Sequence, residues 1–191
     1  MPVMHSYDPP ERFVAGTVGP PGQRTFFLQA RLGARMTSVA LEKQQVQALA
    51  ERVDELLDEL MAQEDHSALI PAVAPHSLVD TAPLESPIEE EFRAGTMTLS
   101  WDPEAEVIVI EVFGPTDHEL IDETTGEPHP EAETPDELMV VRLAPGPARA
   151  FVERARSVLG AGRPDCPFCG SPIDPSGHLC VRANGFRRRD P

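Results

Sequence analysis

The sequence predicts an α+β fold: a layered domain built from a pseudo-duplicated βββα unit, followed by a small C-terminal segment of different character. Three observations lead to this prediction. The order strand, strand, strand, helix occurs twice within the 191 residues; the two predicted helices align at one constant offset; and all the cysteines lie near the end of the chain. The composition is 40% hydrophobic, which is enough to bury a core without disulfides.

The first unit covers residues 1–62. Three β-prone segments, 12–18, 25–32 and 36–42, are separated by turns that contain Pro or Gly. Segment 44–62 then has apolar residues spaced by three and four positions, which predicts an amphipathic helix. The apolar face of that helix consists of Val46, Leu49, Val53, Leu56, Leu57 and Leu60.

The second unit covers residues 92–162 and repeats this order. Its predicted strands are 92–101, 107–113 and 137–143, and the helix that follows is framed by prolines at its start and by Gly160 at its end. The strand beginning at Val107 has four apolar residues in a row, which predicts a central strand buried on both faces. The apolar face of the helix consists of Phe151, Val152, Ala155, Val158 and Leu159.

Matched residues in the two helical regions support the duplication. Both units also contain the tripeptide Ala-Gly-Thr, ending at Thr17 and Thr96. Chance similarity is the alternative, because Ala, Glu, Arg and Leu are common in all helices. At one offset, Leu41, Ala48, Glu51, Arg52 and Leu57 match Leu143, Ala150, Glu153, Arg154 and Leu159.

Two irregular segments accompany the units. The Pro-rich connector 63–91 joins them and could bring apolar residues onto the core. The acidic loop 115–137 contains nine acids and no base, which predicts a solvated loop. Its His118 and His129 could form a second metal site with neighbouring carboxylates, although a solvated loop is the simpler interpretation. The connector residues expected on the core are Leu69, Ile70 and Val73.

The charge of the chain limits its partners. The formal net charge is −16, from 32 acids and 16 bases. An acidic surface repels nucleic acid and anionic membranes, and it favours basic protein partners. We find no signal peptide and no apolar run that could span a membrane, and the odd cysteine count indicates a reducing compartment. We therefore expect a cytoplasmic protein.

All three cysteines lie in the segment CPFCGSPIDPSGHLC, residues 166–180. The pattern C-x₂-C followed by Gly is typical of a zinc knuckle. On an extended strand, the His and the last Cys would face the same side. Three thiolates and one imidazole would fill the tetrahedral shell of a single structural Zn²⁺ in a zinc ribbon covering 163–191. The predicted ligands are Cys166, Cys169, His178 and Cys180.

Other interpretations of the cysteines are less consistent with the sequence. Free structural thiols would not need to cluster. A thioredoxin-like redox pair lies at a helix start, whereas Pro164, Pro167 and Gly170 around this pair indicate a loop. A catalytic zinc needs an open coordination position, and four candidate ligands favour a closed site. Iron is less favoured because nothing in the sequence indicates a redox partner.

The tail after the cluster is locally basic. Its arginines could contact anions or a partner, including nucleic-acid phosphates. Pairing with the acidic body of the same protein is the favoured alternative, because that body would repel a polyanion. The residues concerned are Arg182, Arg187, Arg188 and Arg189.

The F-x-A-G-T openings, the duplicated layout and the terminal C-P-F-C-G, D-P-S-G-H-L-C and R-A-N-G-F-R-R segments resemble an uncharacterised actinobacterial family of unknown function that is described as repeat-containing. The resemblance covers essentially the whole chain. It implies kinship and a bacterial cytoplasm, and it brings no activity with it.

No catalytic residue is predicted. Neither G-x-S-x-G nor H-E-x-x-H occurs, and His5, Tyr7 and Trp101 are isolated in the sequence and are assigned no chemistry. The leading hypothesis is a soluble, cytoplasmic zinc-binding protein that binds a protein partner as an adaptor or accessory subunit. One alternative is an enzyme with its site in the groove between the two units and a purely structural zinc. The other is a nucleic-acid or transcription accessory factor that uses the basic tail.

Overall fold

The computed structural model describes residues 3–63, 69–116, 135–162, 166–171, 173, 177–180 and 182. These residues form two four-stranded sheets and two α-helices, which confirms the α+β class. The strands are β1 (Val3–Tyr7), β2 (Arg12–Val18), β3 (Thr25–Leu32), β4 (Arg35–Leu41), β5 (Glu90–Arg93), β6 (Met97–Asp102), β7 (Val107–Phe113) and β8 (Glu137–Leu143). The helices are α1 (Lys43–Met61) and α2 (Pro145–Gly160), and a 3₁₀ turn covers His76–Leu78.

Each sheet contains one strand from the other half of the chain. The strand order is β1-β8-β7-β6 in the first sheet and β2-β3-β4-β5 in the second. β1 lies parallel to β8, and β5 lies parallel to β4, whereas all the other neighbours are antiparallel. The sequence did not predict β1, and it predicted only the last two residues of β5, as the start of a longer strand. Each half therefore contributes four strands and a helix rather than the predicted βββα.

The predicted strand 92–101 is wrong in one respect, because the chain changes sheets within it. The Ala94 N–H donates to the Ala40 carbonyl of the second sheet at 2.8 Å, and the next N–H, of Gly95, donates to the Phe113 carbonyl of the first sheet at 2.8 Å. The segment is thus the end of β5, a crossing at Ala94 and Gly95, and then β6 from Met97.

The two Ala-Gly-Thr tripeptides are not equivalent in the structure. The helical match aligns Leu41 with Leu143. Across the second sheet, Leu41 lies in register with Phe26 and then Thr17. Across the first sheet, Leu143 lies in register with Ile108 and then Trp101, so the counterpart of Thr17 is Trp101 and not Thr96. The first tripeptide lies inside β2, whereas the second lies at the crossing between sheets. The tripeptide match is therefore wrong as evidence for a repeat, and the helical match does not depend on it.

One main core joins both sheets and both helices. The rings of Phe13 on β2 and Phe151 on α2 stack with centroids 4.7 Å apart, which fixes the second helix against the second sheet. The predicted apolar faces of the helices lie in this core, with Leu56, Val158 and Leu159 only partly buried.

The prediction that the 107–113 strand is buried on both faces is wrong. β7 is central, but its residues alternate, with Ile108, Ile110 and Val112 buried and the intervening residues half-buried. β3, by contrast, has five consecutive buried residues. The difference arises because the connector covers the outer face of the second sheet. Its Leu84 and Ile88 pack there with Val14, Phe27 and Ala40.

The connector contributes different apolar residues from those expected. Ile70 is buried in the main core, as predicted, whereas Leu69 and Val73 are exposed. Leu84 supplies the contact that the sequence did not indicate. None of the helices in the described residues has the length and apolar content to cross a membrane.

Candidate metal centre

The four predicted ligands lie in two short segments, 166–169 and 178–180, and the first of these forms a tight turn. Residues 166–170 form a tight turn in which the Gly170 N–H donates to the Cys166 carbonyl at 2.8 Å. Gly170 has a φ of +73°, a conformation that glycine adopts without strain. The Cys166 N–H donates to the Ser171 carbonyl at 2.8 Å, which closes the turn from the other side. This local geometry explains why glycine follows the second cysteine.

The four side chains converge as predicted. One ligand atom from each of Cys166, Cys169, His178 and Cys180 lies within 4.8 Å of all the others. The Cys166 and Cys180 sulfurs are 3.7 Å apart. Two thiolates bound at about 2.3 Å to a tetrahedral zinc ion lie about 3.8 Å apart. The sulfur separation therefore fits two ligands of one ion.

The imidazole lies at a matching distance. His178 Nε2 is 3.3 Å from Cys169 Sγ. Zinc bonds of about 2.3 Å to sulfur and about 2.0 Å to nitrogen place such a pair about 3.5 Å apart in a tetrahedral shell. Cys166 and Cys180 are buried, whereas Cys169 and His178 are half-buried. The donor set, three sulfurs and one nitrogen, is the kind that zinc prefers in closed structural sites.

The protein favours the thiolate form at one ligand. Hydrogen bonds from the Ser171 side chain and backbone, followed by one from His178, lower the pKa of the Cys169 thiol from 9.0 to about 6. The thiolate, rather than the thiol, binds a metal ion.

No disulfide links these cysteines. The sulfur separation of 3.7 Å between Cys166 and Cys180 is far longer than the roughly 2.05 Å of a disulfide bond. Described residues 166–171 form a turn and not a helix start, which does not fit a thioredoxin-like pair. None of the described residues beyond 162 lies in a strand, so the ribbon stays a prediction.

The basic tail is only partly described. Arg182 is exposed, and its Nη1 donates to the Phe168 carbonyl at 3.4 Å, so this arginine contacts the 166–170 turn of its own chain. Arg187, Arg188 and Arg189 lie outside the described residues, as do His118 and His129 of the acidic loop.

Residues 5–180 match the family described as "Protein of unknown function (DUF3090)". The chain belongs to this family. The match includes all four candidate ligands and ends at Cys180. No curated protein and no solved structure matches the chain significantly. Membership in DUF3090 therefore confirms the kinship that the sequence implied.

The cleft between the two halves of this DUF3090 protein contains charged groups that bind one another. A cavity of about 260 Å³ is lined by residues of β2, α2 and the connector. Arg12 Nε donates to the Asp80 carboxylate at 2.6 Å, and Arg154 Nη1 donates to the Asp80 carbonyl at 2.9 Å. These contacts hold the connector in place, and the guanidinium groups of both arginines already donate hydrogen bonds within the protein.

Sequence reasoning missed another group of side chains that could hold a metal ion. His5, Glu91 and Glu137 have ligand atoms within 4.8 Å of one another. His5 and Tyr7, which are isolated in the sequence, both contact the hydroxyl of Thr37 in the fold. Periodicity along one segment could not reveal this group, since its members come from three strands in two sheets.

Proposed function

We propose that this protein binds one structural zinc ion through Cys166, Cys169, His178 and Cys180 and acts by recognising a protein partner. The observation that carries the proposal is the convergence of three sulfurs and one imidazole at spacings that suit a tetrahedral ion. The ion orders a C-terminal segment, 163–191, that is too small to build a core of its own. Loss of the metal releases this segment.

Exposed apolar side chains beside the metal ligands support a role in recognition. Phe168, between the first two cysteines, is 61% exposed, and Leu179, between His178 and Cys180, is 82% exposed. Large apolar residues at such positions lose contact with water when a partner covers them. An ion that fixes the neighbouring ligands also fixes the direction of these two side chains. The acidic body favours a partner with basic residues around its apolar contact.

The domain organisation belongs to the same proposal. We assign 1–62 and 92–162 to two duplicated units, 63–91 to the connector and 163–191 to a zinc ribbon in a cytoplasmic protein. The equal strand order of the two sheets supports the duplication. Tyr7 and Phe92 add to this support, because each is a buried aromatic residue paired with Val141 or Val39, respectively, at equivalent positions.

An enzyme with its site between the units is the second hypothesis from the sequence. The cavity beside Asp80 is the feature such a function would use. The mutual pairing of its charged groups favours a structural role instead.

Metal content and partner capture test the proposal together. The intact protein should contain one zinc per chain by elemental mass spectrometry, and Cys166→Ser/Cys169→Ser should contain none. The matched control, Phe168→Ala/Leu179→Ala, alters the same segment without touching a ligand, so it should keep the zinc and lose the partner. Metal-free native protein would refute the zinc assignment. Equal capture of the same partner by wild type and by the alanine variant would refute recognition through the exposed residues.

A further inference from the structure

β1 and β5 each lie in the sheet that is formed mainly by the other half of the chain. The two strands come close together at the edge of the main core. β1 carries His5 and Tyr7 on one face, and Tyr7 is fully buried while the His5 side chain is 17% exposed. The imidazole of His5 stacks on Phe92 of β5, with ring centroids 6.2 Å apart. This contact places His5 between the first sheet and the second.

The orientation of the His5 ring is fixed through one of its nitrogens. His5 Nδ1 lies 3.3 Å from Thr37 Oγ1, and the same hydroxyl oxygen lies 2.7 Å from the Tyr7 hydroxyl. When Nδ1–H donates to Thr37, Nε2 presents its lone pair. Nε2 is buried, and it has no hydrogen-bond partner among the described residues. Imidazoles that bind metal ions commonly have one nitrogen oriented by such a partner and the other on the metal.

An irregular pairing brings a carboxylate to the free nitrogen. Ser38 pairs with Glu90 and Val39 pairs with Phe92, so Glu91 is an extra residue in β5. Extra residues of this kind redirect a side chain. Glu91 Oε1 lies 4.0 Å from His5 Nε2. That distance is too long for a hydrogen bond, and neighbouring ligands of one ion with bonds of about 2.1 Å lie about 3.0–3.4 Å apart, so a side-chain movement of about an ångström would bring both atoms onto one ion.

The third member of the group comes from the strand beside β1. Glu137 begins β8, where it pairs with Val3, and His5 pairs with Met139 two residues later. Residues two apart on a strand share a face, so Glu137 and His5 lie on the same side of the first sheet. A carboxylate oxygen of Glu137 lies within 4.8 Å of both other ligand atoms.

We propose that His5, Glu91 and Glu137 form a second cation site, independent of the cysteine cluster, that binds a divalent transition-metal ion across the two sheets. Two carboxylates balance the charge of the ion, and the neutral imidazole selects a transition metal over calcium or magnesium. The ion would join β1 and β8 of one sheet to β5 of the other. Three protein ligands leave coordination positions for water or a small anionic ligand.

Mn²⁺ is a suitable probe because oxygen and nitrogen ligands suit it better than thiolates do. The full-length protein is first loaded with one equivalent of zinc to occupy the cysteines, and Mn²⁺ is then titrated at physiological salt. Paramagnetic broadening of the imidazole NMR signals reports the position of the ion, and electron paramagnetic resonance of free Mn²⁺ reports the affinity. Signals of His5 should broaden at substoichiometric Mn²⁺, before those of His76.

Two matched variants distinguish Mn²⁺ binding at this site from nonspecific attraction of the ion to the acidic surface. Glu91→Gln removes a proposed ligand and should weaken Mn²⁺ binding at least about ten-fold. Glu90→Gln removes the same charge one residue away and should leave the affinity within about two-fold, because screening makes remote surface charges weak contributors. Both residues are exposed, so both variants should fold. Equal effects of the two substitutions, or broadening of His76 before His5, would overturn the proposal.

Discussion

Replacing Gly16 by alanine should force the connector away from the second sheet. Gly16 lies in β2 beneath Leu84. A Cβ added at Gly16 would lie 2.5 Å from both Cγ and Cδ2 of Leu84 and 2.9 Å from its Cδ1. Carbon atoms in contact lie about 3.5–4.0 Å apart, so either Leu84 or the strand must shift by about an ångström.

The expected cost follows from what Leu84 loses. This side chain is buried in the small cluster on the outer face of the sheet. Overpacking costs about 1–3 kcal/mol, and expelling a leucine completely costs about 1.5–3 kcal/mol. Whether Leu84 stays in an overpacked cluster or is expelled from it, Gly16→Ala should lower the free energy of unfolding by about 2 kcal/mol. Leu84→Ala alone should cost about 2–3 kcal/mol, at the lower end for leucine because the cluster is small.

The double variant Gly16→Ala/Leu84→Ala provides the decisive measurement. Truncating Leu84 makes room for the new methyl group, so the double variant should lose about 1–2 kcal/mol less than the sum of the single variants. Urea unfolding of the zinc-loaded protein at pH 7 measures each free energy. Gly95→Ala is the control, because its Cβ would lie 2.9 Å from the backbone oxygen of Gly114 and Leu84 cannot relieve that clash. Additivity of Gly16→Ala and Leu84→Ala within about 0.5 kcal/mol would refute the reasoning.

Two further predictions concern ion pairs that join distant parts of the chain. Arg149, 5% exposed, joins α2 to Asp54 and Asp58 of α1, so Arg149→Met should lower the free energy of unfolding by about 2–3 kcal/mol, less than a fully buried pair loses because Asp58 is exposed. A hydrogen bond from Arg12 outweighs burial and lowers the pKa of Asp80. Asp80 therefore stabilises the fold above its unfolded pKa and loses this contribution as the pH falls through its folded pKa. Asp80→Asn should destabilise the protein at pH 7, and the difference from wild type should shrink below about pH 3.9 in pH-dependent urea unfolding.

A surface ion pair supplies the control for Arg149→Met. Arg52 is 75% exposed and pairs with Glu55 on the same helix, so Arg52→Met should change the free energy of unfolding by no more than about 0.5 kcal/mol. An equal effect of Arg149→Met and Arg52→Met would show that the buried arginine does not hold the helices together. A difference between Asp80→Asn and wild type that persists unchanged at low pH would refute the role of the Asp80 charge.

The sequence predicted those parts of the structure that have a local signal. Helical periodicity located α1 and α2 closely, and the spacing of Cys166, Cys169, His178 and Cys180 predicted that these four side chains converge. In both cases the interacting residues are close in the chain or follow a fixed period.

The features that escaped prediction depend on contacts between distant parts of the chain. β1 and β5 are short, and each pairs with a strand from the other half, so neither has a hairpin signal. The grouping of His5, Glu91 and Glu137 escaped prediction for the same reason. Leu84 looked like one apolar residue in a Pro-rich segment, and only the sheet beneath it explains its burial.

The exchange of edge strands also constrains how the protein is made. During synthesis, β1 leaves the ribosome before β2–β7 but pairs with β8, the last of the described strands. Until β8 appears, β1 has no native neighbour in its sheet. A chain interrupted before residue 137 would have one complete sheet and an unpaired first strand, and unpaired strands promote aggregation. Neither half should therefore be expressed alone as a folded fragment, whereas co-expression of the two halves should allow the missing strands to be supplied in trans.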